Sequence, residues 1–419
     1  MITKDELKKV ILDQRESFEK SENIIQRQVD LKSYINYDSI VVISGVRRCG
    51  KSTLLKIIKT KINPKDYLYC DFSDERLNNL TIADLQLIYE IFLEKYESGK
   101  KYFFFDEIQY VNGWEKFVNR LYEKEEAKIF VTGSNSSLLS SEISSVLTGR
   151  NKVIELYPFS FKEYITAKKE TIDINNLSTK EGIKLNKYFD DYFNIGGFPH
   201  VINTNDVQIL KEYYTNIIYK DIIVRKKIRQ VKEIKEIISF LLNNIGQIIS
   251  YKKIIANSEI KSTSTIKNFI DYLNEAYILF TLSKYDKSIR KQIQNPKKSY
   301  FIDMGMVRKI SVNFSENNGW YLENVVFLEL LRRNKEIYYH KKEKECDFVV
   351  KEGTQIKEAI QVSYEMNQKT ETREIKGLIN AIKTYNLKEG IIITRDQEET
   401  RIVEGYKIKI IPIAKWLLE

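Results

Sequence analysis

The eight residues Gly45-Val-Arg-Arg-Cys-Gly-Lys-Ser52 fit the pattern G-x-x-x-x-G-K-[ST], which constrains the fold more than any other feature of the chain. Such a loop works only at the junction of a strand and a helix. The β-branched run Ser39-Ile-Val-Val-Ile-Ser44 precedes it and the helix-forming run Thr53-Leu-Leu-Lys-Ile-Ile58 follows, so the context is present. Gly45 and Gly50 let backbone N–H groups turn toward phosphate oxygens, Lys51 reaches the β and γ oxygens, and Ser52 can ligate magnesium at a positive helix terminus. The predicted ligand is a nucleoside triphosphate with Mg²⁺, held by Gly45, Val46, Arg47, Arg48, Cys49, Gly50, Lys51, Ser52 and Thr53.

A second element follows. Tyr102-Phe-Phe-Phe-Asp-Glu107 reads as a buried strand ending in two carboxylates. Asp106 is predicted to hold magnesium through water, and Glu107 to orient and deprotonate an attacking water. The run Lys128 to Thr132 ends in Gly133-Ser-Asn-Ser136, which offers Ser134 and Asn135 as γ-phosphate sensors if this strand lies beside the one ending at Asp106. A Gly-Ser-Asn turn is also ordinary loop chemistry. Arg150, in Leu147-Thr-Gly-Arg150, is a candidate arginine finger, in cis or across a subunit interface, or else a surface arginine.

With 419 residues and 42% hydrophobic content, the chain is too long for one core. We expect an α/β P-loop domain with a parallel sheet and helices on both faces over 1–165, a helical region over 187–305, and a C-terminal α/β domain over 318–419. The net charge of +10 favours a polyanionic partner, although AT-biased coding gives the same excess of lysine. Cys49, Cys70 and Cys346 form no C-x-x-C pair, and His200 and His340 are the only histidines. Disulfide frameworks, thiolate zinc sites and Ser-His-Asp chemistry therefore lack support. The charged N-terminus and the lack of an apolar run of about 18–20 residues point to a cytoplasmic protein without a membrane partner.

Within the middle region, Ile234 to Asn244, Ser250 to Ala256 and Thr263 to Glu275 read as three helices, followed by strand-like runs at Ile278 to Lys284 and Lys298 to Asp303. This order predicts a winged helix-turn-helix. Ile266, Phe269, Ile270 and Leu273 form the core stripe of the third helix, which leaves Ser262, Thr263, Ser264, Lys267 and Asn268 for phosphates and base edges. Lys284, Lys287, Arg290, Lys291, Lys297 and Lys298 give the hairpin a basic character suited to DNA. The alternative is a solvated face on a module that packs against other domains. From Trp320 the order reads helix, three strands, helix, two strands and a short helix. Glu323, Asp347 and Gln361-Val-Ser363 resemble the PD-(D/E)XK nuclease arrangement, in which acids bind a metal and a lysine in the last position assists. That last position is Ser363 here, so Asp347 is a second, weaker candidate for a metal and the domain is expected to be an inactive scaffold.

The strings GVRRCGKSTLL, FFFDEIQ, VTGSNS, LTGR, PFSFKE, GGFP, YFIDMG, YLENVVFLEL, ECDFVV and AIQV together resemble prokaryotic AAA-type ATPases related to the archaeal ATPase and STAND groups, with a C-terminal domain of unknown function. The resemblance implies ATP, a winged-helix segment and a restriction-endonuclease-like C-terminal fold. The leading expectation is a DNA-associated ATPase. A STAND-like switch acting on a protein partner and a metal-dependent nuclease are the alternatives, and assembly into a homo-oligomer is open because Arg150 suits either a ring or a monomer.

Overall fold

Five short strands carry the first part of the chain. β1 (Ile40–Ser44), β2 (Tyr67–Asp71), β3 (Tyr102–Asp106), β4 (Lys128–Gly133) and β5 (Asn151–Glu155) form a parallel sheet in the order β2-β3-β4-β1-β5. The structure, a computed structural model, describes residues 2–20, 24–136, 149–311, 318–368 and 370–419. Side chains alternate across the sheet, so Ile40, Val42, Phe103, Phe105, Ile129 and Val131 enter one core with Leu7, Leu85, Trp114 and Phe117. Val41, Ile43, Phe104 and Phe130 lie at the alternate positions and are equally buried. Burial on both faces explains why these strands read as unbroken apolar runs.

β5 is an addition to the sequence reading. It pairs with β1 along its whole length, from Ile40 opposite Asn151 to Ser44 opposite Glu155. As an edge strand with three half-buried residues and an exposed Glu155, it lacks the apolar run that revealed the others.

The chain divides into two compact units, Met1–Tyr157 with Glu275–Tyr277, and Pro158–Asn274 with Ile278–Glu419. In the second unit, helices Val231–Leu242, Tyr251–Ala256 and Thr263–Glu275 precede an antiparallel pair, β6 (Leu279–Leu282) and β7 (Lys298–Phe301). Ile266, Phe269, Ile270 and Leu273 are buried, whereas Ser262, Thr263, Ser264, Lys267 and Asn268 are exposed. Helix Asn318–Arg332 leads into a six-stranded sheet ordered β12-β13-β11-β10-β9-β8, made of β8 (Glu336–Lys341), β9 (Glu345–Glu352), β10 (Gln355–Val362), β11 (Glu389–Thr394), β12 (Glu399–Val403) and β13 (Tyr406–Pro412). Three strands, not two, follow helix Glu371–Tyr385; the extra one, β12, is a mostly exposed edge that pairs antiparallel with β13.

Tight backbone approaches set the register within this unit. The Asp303 carboxylate accepts from the backbone N–H groups of Gly197 at 2.6 Å and Met306 at 2.8 Å. A Cβ on Gly196, which has φ +78°, would come within 2.2 Å of Asp303 Oδ1. The GGFP and YFIDMG strings are thus two halves of one junction. On the other side of the unit, helix Glu371–Tyr385 packs on β9 at Gly377, where a Cβ would lie 2.2 Å from the Glu345 carbonyl oxygen. Gly377→Ala should separate helix and strand at a cost of about 1–3 kcal/mol. Thermal unfolding should show a melting temperature several degrees lower; an unchanged melt would mean that this packing is not tight.

Candidate functional site

At the C-terminal end of β1 the chain must leave the sheet without striking β5. Leu156 N donates to Ser44 O at 2.7 Å, and a Cβ on Gly45 would lie 2.1 Å from Leu156 O. Only glycine fits there. The loop then passes through Arg48 at φ +71° and Gly50 at φ +101°, and Gly50 caps helix Lys51–Ile62. Val46 and Cys49 are fully buried, so they offer backbone rather than side chains to a ligand. Arg27 braces the loop from outside, donating to Cys49 O at 2.9 Å and to Tyr157 O at 2.6 Å.

Lys51 is 5% exposed and lies across its own loop. Its Nζ donates to Gly45 O at 3.1 Å and Val46 O at 3.3 Å, and pairs with Glu107 Oε1 at 3.2 Å. Burial opposes charge on both partners, yet their mutual attraction wins: the Lys51 ammonium is held above its ordinary value and the Glu107 carboxyl below its own. Both are charged at neutral pH. Glu107 adopts φ +51°, and Gln109 Nε2 donates to its Oε2.

Parallel pairing of β3 with β4 brings Asp106 beside Thr132. Thr132 Oγ1 donates to Asp106 Oδ1 and accepts from Glu107 N at 2.9 Å, so one hydroxyl orients both acids. Tyr69 OH donates to Asp106 Oδ2 at 3.2 Å, and the Ser52 hydroxyl also bonds to Asp106. Sequence reading passed over Thr132, although its place at the end of the strand beside β3 was the available signal. Ser134 and Asn135 are each 1% exposed at the end of β4, next to β1; Asn135 O accepts from Ser44 Oγ at 3.3 Å. The Ser134 hydroxyl has no hydrogen-bond partner among the described residues. Tyr277, a member of the same compact unit, places its OH 2.7 Å from Ser44 Oγ.

These residues fit a nucleoside triphosphate with magnesium: a glycine-bent loop at a helix N-terminus, a lysine above it, and the oxygens of Ser52 and Asp106 together. Arg150 is different. It immediately precedes Asn151, which pairs with Ile40, so it lies at the end of the sheet opposite the loop, bonded to Glu123 at 2.7 Å and Asn119 at 3.3 Å. A finger role in cis is therefore excluded by distance along β5, roughly 16 Å at 3.3 Å per residue.

A second charged centre lies in the other unit. Asp347, which the sequence suggested as a metal ligand, has Oδ1 paired with Lys298 Nζ at 3.0 Å and Oδ2 accepting from Val362 N at 3.0 Å. Glu323 and Glu345 contact the same Nζ at 3.0 and 2.9 Å. An ammonium therefore stands against the Asp347 oxygen where a metal was expected. The same pairing removes Lys298, 1% exposed, from the basic face of the hairpin.

Burial raises the Asp106 carboxyl, and the Glu107 and Asp71 carboxylates raise it further, to about 6. A carboxylate would hold magnesium in its ionised form, so with Asp106 in that role affinity should rise with pH up to that value. Magnesium-dependent binding of a fluorescent nucleotide should weaken by roughly tenfold per pH unit below about 6, and Asp106→Asn should bind weakly with no such acid limb. A flat profile in the wild type would separate Asp106 from the metal.

An AAA domain model matches residues 37–165, a domain of unknown function (DUF8612) matches 186–317, and a second (DUF4143) matches 318–416. The chain is 39% identical to an uncharacterized protein of Methanocaldococcus jannaschii, covering 98% of this chain and 94% of that one. It is 32% identical to an uncharacterized protein of Haemophilus influenzae, covering 95% and 98%. Among solved structures it is similar to the RuvB Holliday junction branch migration motor of Thermotoga maritima at 16% identity, covering 66% of this chain and 93% of that one, with a TM-score of 0.31. That last likeness is too low to carry an argument about function.

Proposed function

The chain belongs to the family of AAA-domain proteins that includes these archaeal and bacterial relatives, and from that premise we propose that it is a Mg²⁺-dependent ATPase coupled to a DNA-binding winged helix. The observation that carries the ATPase reading is the buried Lys51–Glu107 pair beside Asp106, Ser52 and Thr132. Lys51 exchanges Glu107 for the phosphates when nucleotide binds. Glu107 then loses the strongest of the influences that lower its pKa, while burial, which raises it, remains. Its basicity increases as a water has to be oriented and deprotonated. Thr132 and Gln109 hold the Glu107 backbone and carboxylate through that exchange. Ser52, and Asp106 through water, would hold magnesium, which would supply charge neutralisation on the phosphate oxygens. Ser134 and Asn135, buried at the end of β4, are the proposed sensors of the terminal phosphate.

The DNA reading is supported by exposed Ser262, Thr263, Ser264, Lys267 and Asn268 at the start of the third helix, and by exposed Lys287, Arg290 and Lys291 in the hairpin. Coupling is supported by Glu275–Tyr277, which ends and directly follows that helix but belongs to the nucleotide-binding unit, with Tyr277 against Ser44. A second reading, a switch acting on a protein partner, is favoured by Ile289 and Ile293, which are 73% and 71% exposed one helical turn apart.

Steady-state ATP hydrolysis with and without double- or single-stranded DNA distinguishes the two. Stimulation that falls as salt rises and is absent in Lys51→Ala supports the DNA-coupled ATPase. Hydrolysis indifferent to DNA favours the protein switch, and no hydrolysis by the wild type would overturn the enzymatic assignment. Glu107→Gln should keep nucleotide binding and lower turnover by about 100-fold or more.

A further inference from the structure

The C-terminal acids converge on a point that a metal would be expected to fill, but a lysine fills it. Lys298 enters from β7, at the base of the hairpin. Its Nζ lies 3.0 Å from Glu323 Oε1, 2.9 Å from Glu345 Oε1 and 3.0 Å from Asp347 Oδ1. Tyr300, two residues along the same strand and so on the same face, donates to Glu323 Oε1 at 2.6 Å. The remaining groups are also committed. Gln361 Oε1 accepts from Asp347 N at 3.2 Å, and its Nε2 donates to Glu374 Oε2 at 2.6 Å. Asp347 Oδ2 accepts from Val362 N.

We propose that Lys298 is the resident cation of this nuclease-like centre, replacing a divalent metal, so that the centre ties the hairpin strand to the C-terminal sheet instead of cutting phosphodiesters. An ammonium donates three hydrogen bonds, and here three carboxylates receive them. A hard divalent ion at the same point would need those oxygens at about 2.0–2.6 Å, roughly 0.3–1 Å closer than they stand around Nζ. The point that Nζ occupies cannot hold both cations at once. Burial alone would strip the proton from Lys298, but the surrounding carboxylates hold the ammonium well above its ordinary range. Glu323, in turn, is pushed up to about 8 by burial and by Asp347, against the pull of Lys298.

Deleting the charge of Lys298 should therefore create a metal site. The cradle opens on a cleft also lined by Trp320, so a paramagnetic ion bound there would broaden the signal of that side chain. The full-length protein, labelled with fluorotryptophan at its three tryptophans, is titrated with Mn²⁺ without nucleotide and followed by ¹⁹F NMR. In the wild type the Trp320 line should stay sharp. In Lys298→Met it should broaden at Mn²⁺ concentrations at least tenfold lower than any effect in the wild type, and Lys298→Met/Asp347→Asn should restore the sharp line. Broadening of Trp320 in the wild type that Asp347→Asn removes would overturn the proposal by revealing a native metal there. So would a folded Lys298→Met that binds no Mn²⁺. If Lys298→Met does not fold, the wild-type titration decides: a Trp320 line that stays sharp at Mn²⁺ concentrations that broaden Trp114, in the nucleotide-binding unit, supports the proposal, and broadening of Trp320 that Asp347→Asn removes overturns it.

Discussion

The close passage of Gly45 beneath the Leu156 carbonyl fixes the geometry of the nucleotide-binding unit. β1 lies between β4 and β5, so the chain leaving Ser44 has neighbours on both sides. Leu156 is already bonded back to Ser44, and nothing larger than a hydrogen fits at the next residue. The turn that follows directs the start of helix Lys51–Ile62 toward the ends of β3 and β4. Glu107, oriented together with Asp106 by Thr132, meets Lys51 for that reason, although the sequence separates them by more than fifty residues. Arg27 fixes the loop further by bonding the carbonyls of Cys49 and Tyr157, on both sides of the same passage.

In the second unit the comparable constraint is the reach of helix Asn318–Arg332 along the hairpin. Asn324 bonds both backbone groups of Phe301, accepting from its N–H at 2.7 Å and donating to its carbonyl at 2.8 Å, as another strand would. Glu323, one residue earlier, is thereby aimed at Lys298 and Tyr300. The E-N pair thus performs one task with two side chains: the amide sets register and the carboxylate meets the buried cation.

How much of this was legible depended on whether the information was local. The phosphate loop, the two acids of β3 and the core stripe of the third helix are encoded by neighbouring residues with a fixed spacing, and each is where the sequence put it. β5 and β12 were missed because edge strands are not required to be apolar. Arg150 was read from its loop motif alone, while its distance from the phosphates follows from parallel pairing of β5 with β1. Lys298 was assigned to a basic face because its neighbours in sequence are basic, yet it begins a strand in which Ser299, Tyr300 and Phe301 are all buried. A lysine opening such a strand carries its own signal, since a buried ammonium requires acceptors, as Lys128 finds in the carbonyls of Tyr34, Tyr37 and Ser39; for Lys298 they are acids supplied by chain segments 25 to 49 residues away.

Two of the buried lysines, Lys51 and Lys298, also show why one site can exchange partners and the other cannot. Lys51 has one carboxylate and two neutral carbonyls, a set that a polyphosphate can outbid because it brings more negative charge to the same point. Glu107, only partly buried, keeps its bond from Gln109 when the lysine leaves. Lys298 has three carboxylates around a nearly inaccessible ammonium, and removing it would leave like charges facing one another in a poorly solvated space. The number of acids around each ammonium therefore separates a replaceable contact from a permanent one, and it assigns ligand exchange to the phosphate loop and mechanical attachment to the C-terminal centre.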